Sequence, residues 1–209
     1  MVEAIFNNFA ENSYILYNEN EAYIIDPGSN YERTVEIIEE KNLTIKGALL
    51  THGHFDHISG LNKLLDKYEV PVYIHKFDRD FLFDPGLNLS IQMAGSGARF
   101  KLKEKHAVHV ISEGDTLELG KDTIRFTHSP GHTRGGVLIH YKNVIFTGDT
   151  LFREAVGRTD LPTGDGHDLA QSIERIINNV DANTLLYPGH GPRTTMAHEI
   201  THNPVLKTA

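Results

Sequence analysis

Four side chains that commonly bind metal ions stand within six positions of the sequence, in the stretch LLTHGHFDH. They are His52, His54, Asp56 and His57. In an extended chain, residues two apart point to the same side, so the side chains of His52, His54 and Asp56 can converge. Gly53 permits a bend, after which His57 turns into the helix that follows. This spacing predicts a metal site rather than a histidine-rich turn.

The remaining ligands of such a site follow the ends of later strands. His132 stands in SPGHT, Asp149 in FTGDT and His190 in YPGHG, each beside a glycine after an apolar run. Sites in sheets covered by helices gather beyond the strand ends, so these side chains can join the first four. Because the chain has no cysteine, its metal ligands must be histidine and carboxylate, which suit zinc, iron and manganese.

The seven side chains divide most simply between two divalent ions. The first ion would be held by His52, His54 and His132, the second by Asp56, His57 and His190, and Asp149 could bridge them. With two carboxylates and a bridging hydroxide the centre has a formal charge of about +1, which can hold an anionic substrate. Water bound to zinc has a pKa of about 7, so a nucleophilic hydroxide would exist at neutral pH.

Composition limits the other possibilities. The chain has 209 residues, 39% of them hydrophobic and 23% charged, which predicts one soluble domain over residues 1–209. Two similar β–α halves would meet near residue 105. The formal charge of −8 argues against a nucleic-acid partner, and no apolar run is long enough to cross a membrane. No secretory signal is visible, so we expect a cytoplasmic protein.

Apolar runs of strand length alternate with amphipathic stretches, which predicts the α/β class. In the first half, a hairpin turns at Asn18–Asn20, and apolar residues at helical spacing predict one helix over residues 57–68. Residues 76–105 have no clear period and predict a short helix with a long loop. The second half predicts further strands, a helix over DLAQSIERIINNV and a terminal helix over TTMAHEITHN.

With these motifs, the sequence resembles the metallo-β-lactamase superfamily from YIIDPG to PGHG. The pattern THxHxDH, followed by GH, GD and GH, implies an αββα four-layer sandwich with the site at one edge of its two sheets. The resemblance implies the same seven ligands and the same division between two ions, most directly zinc. SPGHTRGGV and FTGDTLFREAVGRTDLPTGD are similar to glyoxalase II-like hydrolases, and GHGPRTTMAHEITHNP is similar to their short bacterial members.

The resemblance implies hydrolysis of a small thioester, S-2-hydroxyacylglutathione such as S-lactoylglutathione, to a hydroxy acid and a thiol. A hydroxide bridging the two ions would attack the thioester carbonyl, with Asp56 and Asp149 as catalytic carboxylates. Two alternatives stay open. One is a persulfide dioxygenase with a single iron, and the other is a non-catalytic scaffold that binds metal.

Several further residues are open to two interpretations. Arg158, in GRTD, stands where the resemblance implies a basic residue near the carboxylate of the thiol, but it can also be an ion-paired surface arginine. Asp26, in IIDPG, is either a turn-forming residue or a partner that orients a ligand histidine. His75, His128 and His140 stand singly and are interpreted as core or solvated histidines.

Overall fold

The computed structural model of the protein describes residues 1–6, 10–28, 30–93 and 99–206. The chain divides into two compact units, Met1–Ile111 with Leu119–Lys121, and Ser112–Glu118 with Asp122–Ala209. Each unit is built around one six-stranded sheet with helices, so the predicted α/β class is confirmed. The single domain with a boundary near residue 105 stays a prediction.

The sheet of the first unit has six strands in sequence order. They are β1 (Val2–Phe6), β2 (Asn12–Asn18), β3 (Glu21–Ile25), β4 (Thr44–Leu49), β5 (Val72–His75) and β6 (Val108–Ile111). β1, β2 and β3 pair antiparallel, and β3 to β6 pair parallel. The carboxyl ends of β4 and β5 therefore lie at the same edge. The predicted hairpin is confirmed, with Glu19 in its turn at φ +54°.

The described residues of the first unit form four α-helices, of which the first three bury their apolar faces in one core with the sheet. They are α1 (Tyr31–Glu40), α2 (Phe55–Ile58), α3 (Leu61–Tyr68) and α4 (Ser90–Met93), with a 3₁₀ helix at Arg79–Leu82. Within residues 76–105, the structure places the 3₁₀ helix and α4 among loops, whereas residues 94–98 lie outside the described residues. Asn88 is fully buried there and donates to the carbonyls of Phe81 and Phe100, at 2.7 and 3.2 Å.

The prediction of one helix over residues 57–68 is wrong, because α2 ends at Ile58 and α3 begins at Leu61. Gly60 lies at the break, where its N–H donates to the carbonyl of Pro27 at 3.0 Å. A Cβ on Gly60 would lie 2.0 Å from the carbonyl oxygen of Gly28. The helix is therefore interrupted where the backbone of a distant loop approaches it too closely for any side chain.

Gly60→Ala should lower the free energy of unfolding by about 1–3 kcal/mol, because the obstructing atom is backbone and cannot rotate away. Urea denaturation would measure the loss. Gly166→Ala is the matched control, since its Cβ would meet only the Thr159 hydroxyl at 3.5 Å, an ordinary contact. Equal stability of the two variants would contradict this account of the break.

The sheet of the second unit has the order β14-β13-β10-β9-β8-β7. Its strands are β7 (Thr116–Leu119), β8 (Asp122–His128), β9 (Val137–Tyr141), β10 (Val144–Gly148), β13 (Leu185–Pro188) and β14 (Thr194–Thr195). β10 pairs parallel with β13 and antiparallel with β9. A separate two-stranded hairpin is formed by β11 (Leu151–Phe152) and β12 (Ala155–Val156).

Two helices complete the second unit, α5 (Gly166–Asn179) and α6 (Met196–His202), both where the sequence predicts helices. The Asp165 side chain caps α5 by accepting hydrogen bonds from the N–H groups of His167 and Asp168, at 2.8 and 3.0 Å. The apolar face of α5 is buried in a core with residues of β9, β10 and β13. In the described part of the chain, no helix is long and apolar enough to cross a membrane.

Candidate metal centre

In the first unit, the four predicted ligands follow β4 directly and are all buried. His52, His54, Asp56 and His57 are at most 7% exposed. The rings of His52 and His54 have centroids 4.8 Å apart, and those of His52 and His57 are 4.1 Å apart. An oxygen of Asp56 lies 3.9 Å from Nε2 of His57. The structure therefore brings these four side chains together.

The turn that carries these ligands is supported by the segment after β5. The N–H of Gly53 donates to the buried carboxylate of Asp78 at 3.2 Å. A Cβ on Gly53 would lie 2.3 Å from Cβ of Phe81, so only glycine fits at this position. The ring of Phe81 in turn lies 5.7 Å from that of His54. The position of the turn at Gly53 thus depends on contacts with Asp78 and Phe81, which follow it by about 25 residues in the sequence.

Asp26 connects β3 to this turn. Its Oδ1 accepts a hydrogen bond from the N–H of Thr51 at 2.8 Å, and its Oδ2 accepts one from the Thr51 hydroxyl at 2.6 Å. The same Oδ2 lies 2.9 Å from Nδ1 of His57. Asp26 is 1% exposed and has φ +47°. Of the two interpretations of Asp26, the geometry favours a partner that orients a ligand histidine.

The hydrogen bonds around Thr51 assign the protons of two imidazoles. The carboxylate of Asp26 accepts, so Nδ1 of His57 carries a proton and Nε2 has the lone pair. The Thr51 hydroxyl donates its proton to Asp26, so it accepts from Nδ1 of His52 at 3.2 Å. His52 and His57 are therefore both held as the tautomer whose Nε2 can bind a metal ion.

Glu11 is a buried carboxylate that the sequence does not reveal. It is fully buried, and its Oε1 lies 3.9 Å from Nδ1 of His57. Burial raises the pKa of Glu11 well above its ordinary value. The Ser13 hydroxyl donates to it, at 3.3 and 3.4 Å from the two oxygens. A single glutamate before a strand carries no sequence signal for such a position.

In the second unit, the three predicted ligands also lie together. Oδ2 of Asp149 is 3.4 Å from Nε2 of His132 and 3.5 Å from Nε2 of His190. Two ligand atoms about 2.1 Å from one tetrahedral ion are about 3.4 Å apart. The observed spacing therefore suits ligands that share an ion. The side chain of His190 is 30% exposed, whereas those of His132 and Asp149 are at most 10% exposed.

His132 is fixed from both sides of its turn. The carbonyl of Arg158 accepts a hydrogen bond from Nδ1 of His132 at 2.8 Å, which leaves the lone pair on Nε2. Gly131 precedes it at φ +134°, where a Cβ would lie 2.3 Å from the backbone of Leu169 in α5. His132 therefore has the same tautomer as His52 and His57.

Asp149 and His190 contact the hairpin of β11 and β12 and the residues that follow it. A Cβ on Gly157 would lie 1.8 Å from the carbonyl oxygen of Asp149, so the two backbones approach as closely as glycine allows. The ring of Phe152 lies 5.9 Å from that of His190, at an interplanar angle of 83°. This hairpin is therefore part of the support of the second ligand set.

The side chain of Arg158 lies on the surface with a carboxylate partner. Its Nε and Nη2 each donate to Asp160 at 2.6 Å, and both side chains are more than 60% exposed. The hydrogen bond from Arg158 lowers the pKa of Asp160 to about 2. The structure thus shows the ion pair and a role for the Arg158 carbonyl, and contact with a substrate stays a prediction.

The single histidines have other surroundings. His75 is 2% exposed, and its ring lies 5.2 Å from that of Phe77. Nε2 of His128 bonds to the carbonyl of Arg134 at 2.9 Å, and burial lowers the pKa of His140. Among the described residues, none of these three histidines belongs to a group of ligand atoms close enough to hold an ion.

Relatives in several bacteria match nearly the whole chain. An uncharacterized protein of Mycobacterium tuberculosis is 41% identical, over 94% of this chain and 92% of its own. A probable metallo-hydrolase of Bacillus subtilis is 35% identical, over 93% of this chain and 92% of its own. A hydroxyacylglutathione hydrolase of Haemophilus influenzae is also 35% identical, over 96% of this chain and 94% of its own. The chain is therefore similar to metallo-hydrolases.

Solved structures agree with this similarity. The BLEG-1 B3 metallo-β-lactamase has a TM-score of 0.91 and 38% identity, and 99% of both chains is covered. TTHA1623 in a di-iron-bound form has a TM-score of 0.84 and 31% identity, over 97% of this chain and 98% of that one. The model of the metallo-β-lactamase superfamily matches residues 7–190. The chain has the fold predicted for it and belongs to the metallo-β-lactamase superfamily.

Proposed function

We propose that the two ligand sets meet in one centre that holds two divalent ions. The first ion is held by His52, His54 and His132, the second by Asp56, His57 and His190, and Asp149 bridges them. Zinc is the metal proposed first. Iron is the alternative, because TTHA1623 was crystallised in a di-iron-bound form and the ligands suit either metal.

The observation that carries this proposal is the common tautomer of three histidines. Nδ1 donates to the Thr51 hydroxyl in His52, to the Asp26 carboxylate in His57 and to a backbone carbonyl in His132. Metal-binding histidines almost always donate a hydrogen bond from the N–H of their other ring nitrogen, which orients the ring and raises its basicity. In each of these three residues the donation leaves the lone pair on Nε2, the atom proposed to bind the ion.

The proposed reaction is hydrolysis of a thioester, most specifically an S-2-hydroxyacylglutathione. The relative named hydroxyacylglutathione hydrolase supports this substrate class. Bound divalent ions would polarise the thioester carbonyl and lower the pKa of water. The carboxylates of Asp56 and Asp149 would orient the attacking water. The thiol is a good leaving group as thiolate, so the chain need not supply a strong general acid.

Metal analysis of the purified protein, together with turnover of S-lactoylglutathione, tests this proposal. We expect two ions per chain and hydrolysis of S-lactoylglutathione faster than that of other S-acyl thiols. Penicillins and cephalosporins belong in the same assay because of the similarity to BLEG-1. Protein with two ions per chain that hydrolyses no S-acyl thiol would overturn the thioesterase proposal. Oxygen uptake with glutathione persulfide and one iron per chain would favour a dioxygenase instead.

A further inference from the structure

The hairpin of β11 and β12, with the two residues that follow it, contacts every ligand of the second unit. The ring of Phe152 contacts the ring of His190. The backbone of Gly157 lies against the carbonyl of Asp149. The carbonyl of Arg158 accepts a hydrogen bond from the imidazole of His132. A displacement of this hairpin would therefore change the position of all three ligands.

The turn of this hairpin has a costly backbone conformation. Only Arg153 and Glu154 connect Phe152 to its strand partner Ala155. Glu154 has φ +59°, in the left-handed region that side chains with a Cβ rarely adopt. Such a conformation persists where the surrounding structure determines it fully. The two-residue turn therefore requires support from elsewhere in the unit.

That support comes from α6. The N–H of Glu154 donates to Oε2 of Glu199 at 2.8 Å, and Nδ2 of Asn203 donates to the carbonyl of Ala155 at 3.1 Å. Oε1 of Glu154 lies 2.8 Å from Nε2 of His198. These three contacts hold Glu154, the second residue of the turn, and Ala155, the first residue of β12. The side chains of Glu199, Asn203 and His198, which make these contacts, belong to α6 or its carboxyl end.

Glu199 is at the centre of these contacts. It is fully buried and accepts three hydrogen bonds, from the N–H of Glu154, the Thr194 hydroxyl at 2.6 Å and Nδ2 of Asn203 at 2.9 Å. A buried carboxylate is costly unless its oxygens are satisfied. A fully satisfied buried network also fixes one arrangement of its parts, which an apolar residue of similar size cannot do.

We propose that Glu199 is a positioning residue for the metal centre. It fixes the hairpin turn and, through the hairpin, the orientation of His132 and His190. The inference rests on the proposed metal role of those histidines, and it extends to the tautomer of His132 in the protein without metal. The Nδ1 proton of His132 is held by the Arg158 carbonyl only while the hairpin stays in place.

The test measures the imidazole nitrogens of the metal-free protein by ¹⁵N NMR, and the visible spectrum of the cobalt(II)-loaded protein. In the unaltered protein, we expect His132 as the single tautomer with its proton on Nδ1. Glu199→Ala should mix the tautomers of His132 and lower cobalt(II) affinity by at least tenfold. Glu199→Gln should restore much of both properties, because its amide oxygen can still accept from the N–H of Glu154.

Met196→Ala is the matched control on the same helix, since Met196 is fully buried in the core of the unit. It should lower the melting temperature and leave the His132 tautomer and the cobalt(II) spectrum unchanged. If Glu199→Ala behaves like Met196→Ala, Glu199 is merely structural and the inference is overturned. If Glu199→Ala does not fold, Asn203→Ala removes the contact to Ala155 and is measured in its place. If the unaltered protein does not bind cobalt(II), the proposal of a metal centre is refuted, independently of the role of Glu199.

Discussion

Asp149→Ala should lose bound metal and lower kcat/KM for S-lactoylglutathione by on the order of 10³-fold, about 4 kcal/mol of transition-state stabilisation. The reason lies in the position of its Oδ2, 3.4 and 3.5 Å from Nε2 of His132 and His190. Alanine would leave two imidazoles without the carboxylate proposed to bridge both ions. Metal content per chain and steady-state kinetics measure the two losses.

Asp115→Ala is the control for this substitution. Asp115 is an exposed carboxylate of the same unit, and its Oδ2 accepts a local hydrogen bond from the N–H of Ser112 at 2.8 Å. Substitution of an exposed side chain away from special features changes stability by about 0.5 kcal/mol or less, so we expect activity within about twofold of the unaltered protein. A fully active Asp149→Ala variant would refute the bridging role.

Much of the candidate site can be predicted from the sequence, because its ligands stand in short motifs at strand ends. His52, His54, Asp56 and His57 come together in the structure as the alternation and the bend at Gly53 predict. These positions depend on local backbone geometry, which spacing encodes. Most strands and helices were predictable because apolar periodicity encodes them directly, whereas the two sheets were implied by the resemblance to the superfamily.

What could not be predicted depends on contacts between distant parts of the chain. Apolar residues continue at helical spacing across Gly60, and only the approach of the Pro27–Gly28 backbone interrupts the helix. Glu11 stands in no motif, yet it is fully buried beside His57. The side chains that Asp26 contacts, Thr51 and His57, lie 25 and 31 residues later, so the sequence left its role open between two interpretations.

Asp26→Asn should lower metal affinity by about 10–100-fold, the usual effect of losing a partner that orients a metal-binding histidine. Asparagine has nearly the same shape and tolerates the left-handed backbone at φ +47°. The carboxylate now accepts at both oxygens, from the N–H of Thr51 on one side and from the Thr51 hydroxyl and His57 on the other. The side-chain amide of asparagine has an oxygen that accepts and a nitrogen that donates. In either orientation, the amide nitrogen therefore faces a group that donates to Asp26 in the unaltered protein.

The arrangement that best relieves this conflict keeps the amide oxygen on the N–H of Thr51. The amide nitrogen then donates to Nδ1 of His57, which moves the imidazole proton to Nε2 and blocks the atom proposed to bind the metal. ¹⁵N NMR of the metal-free variant reports this change of tautomer, and competition with a chelator measures the affinity. Asp165→Asn is the control, because the Asp165 side chain accepts hydrogen bonds from the backbone N–H groups of His167 and Asp168, and asparagine caps a helix equally well. An Asp26→Asn variant with an unchanged His57 tautomer and unchanged affinity would show that the ligand histidine is oriented by something other than Asp26.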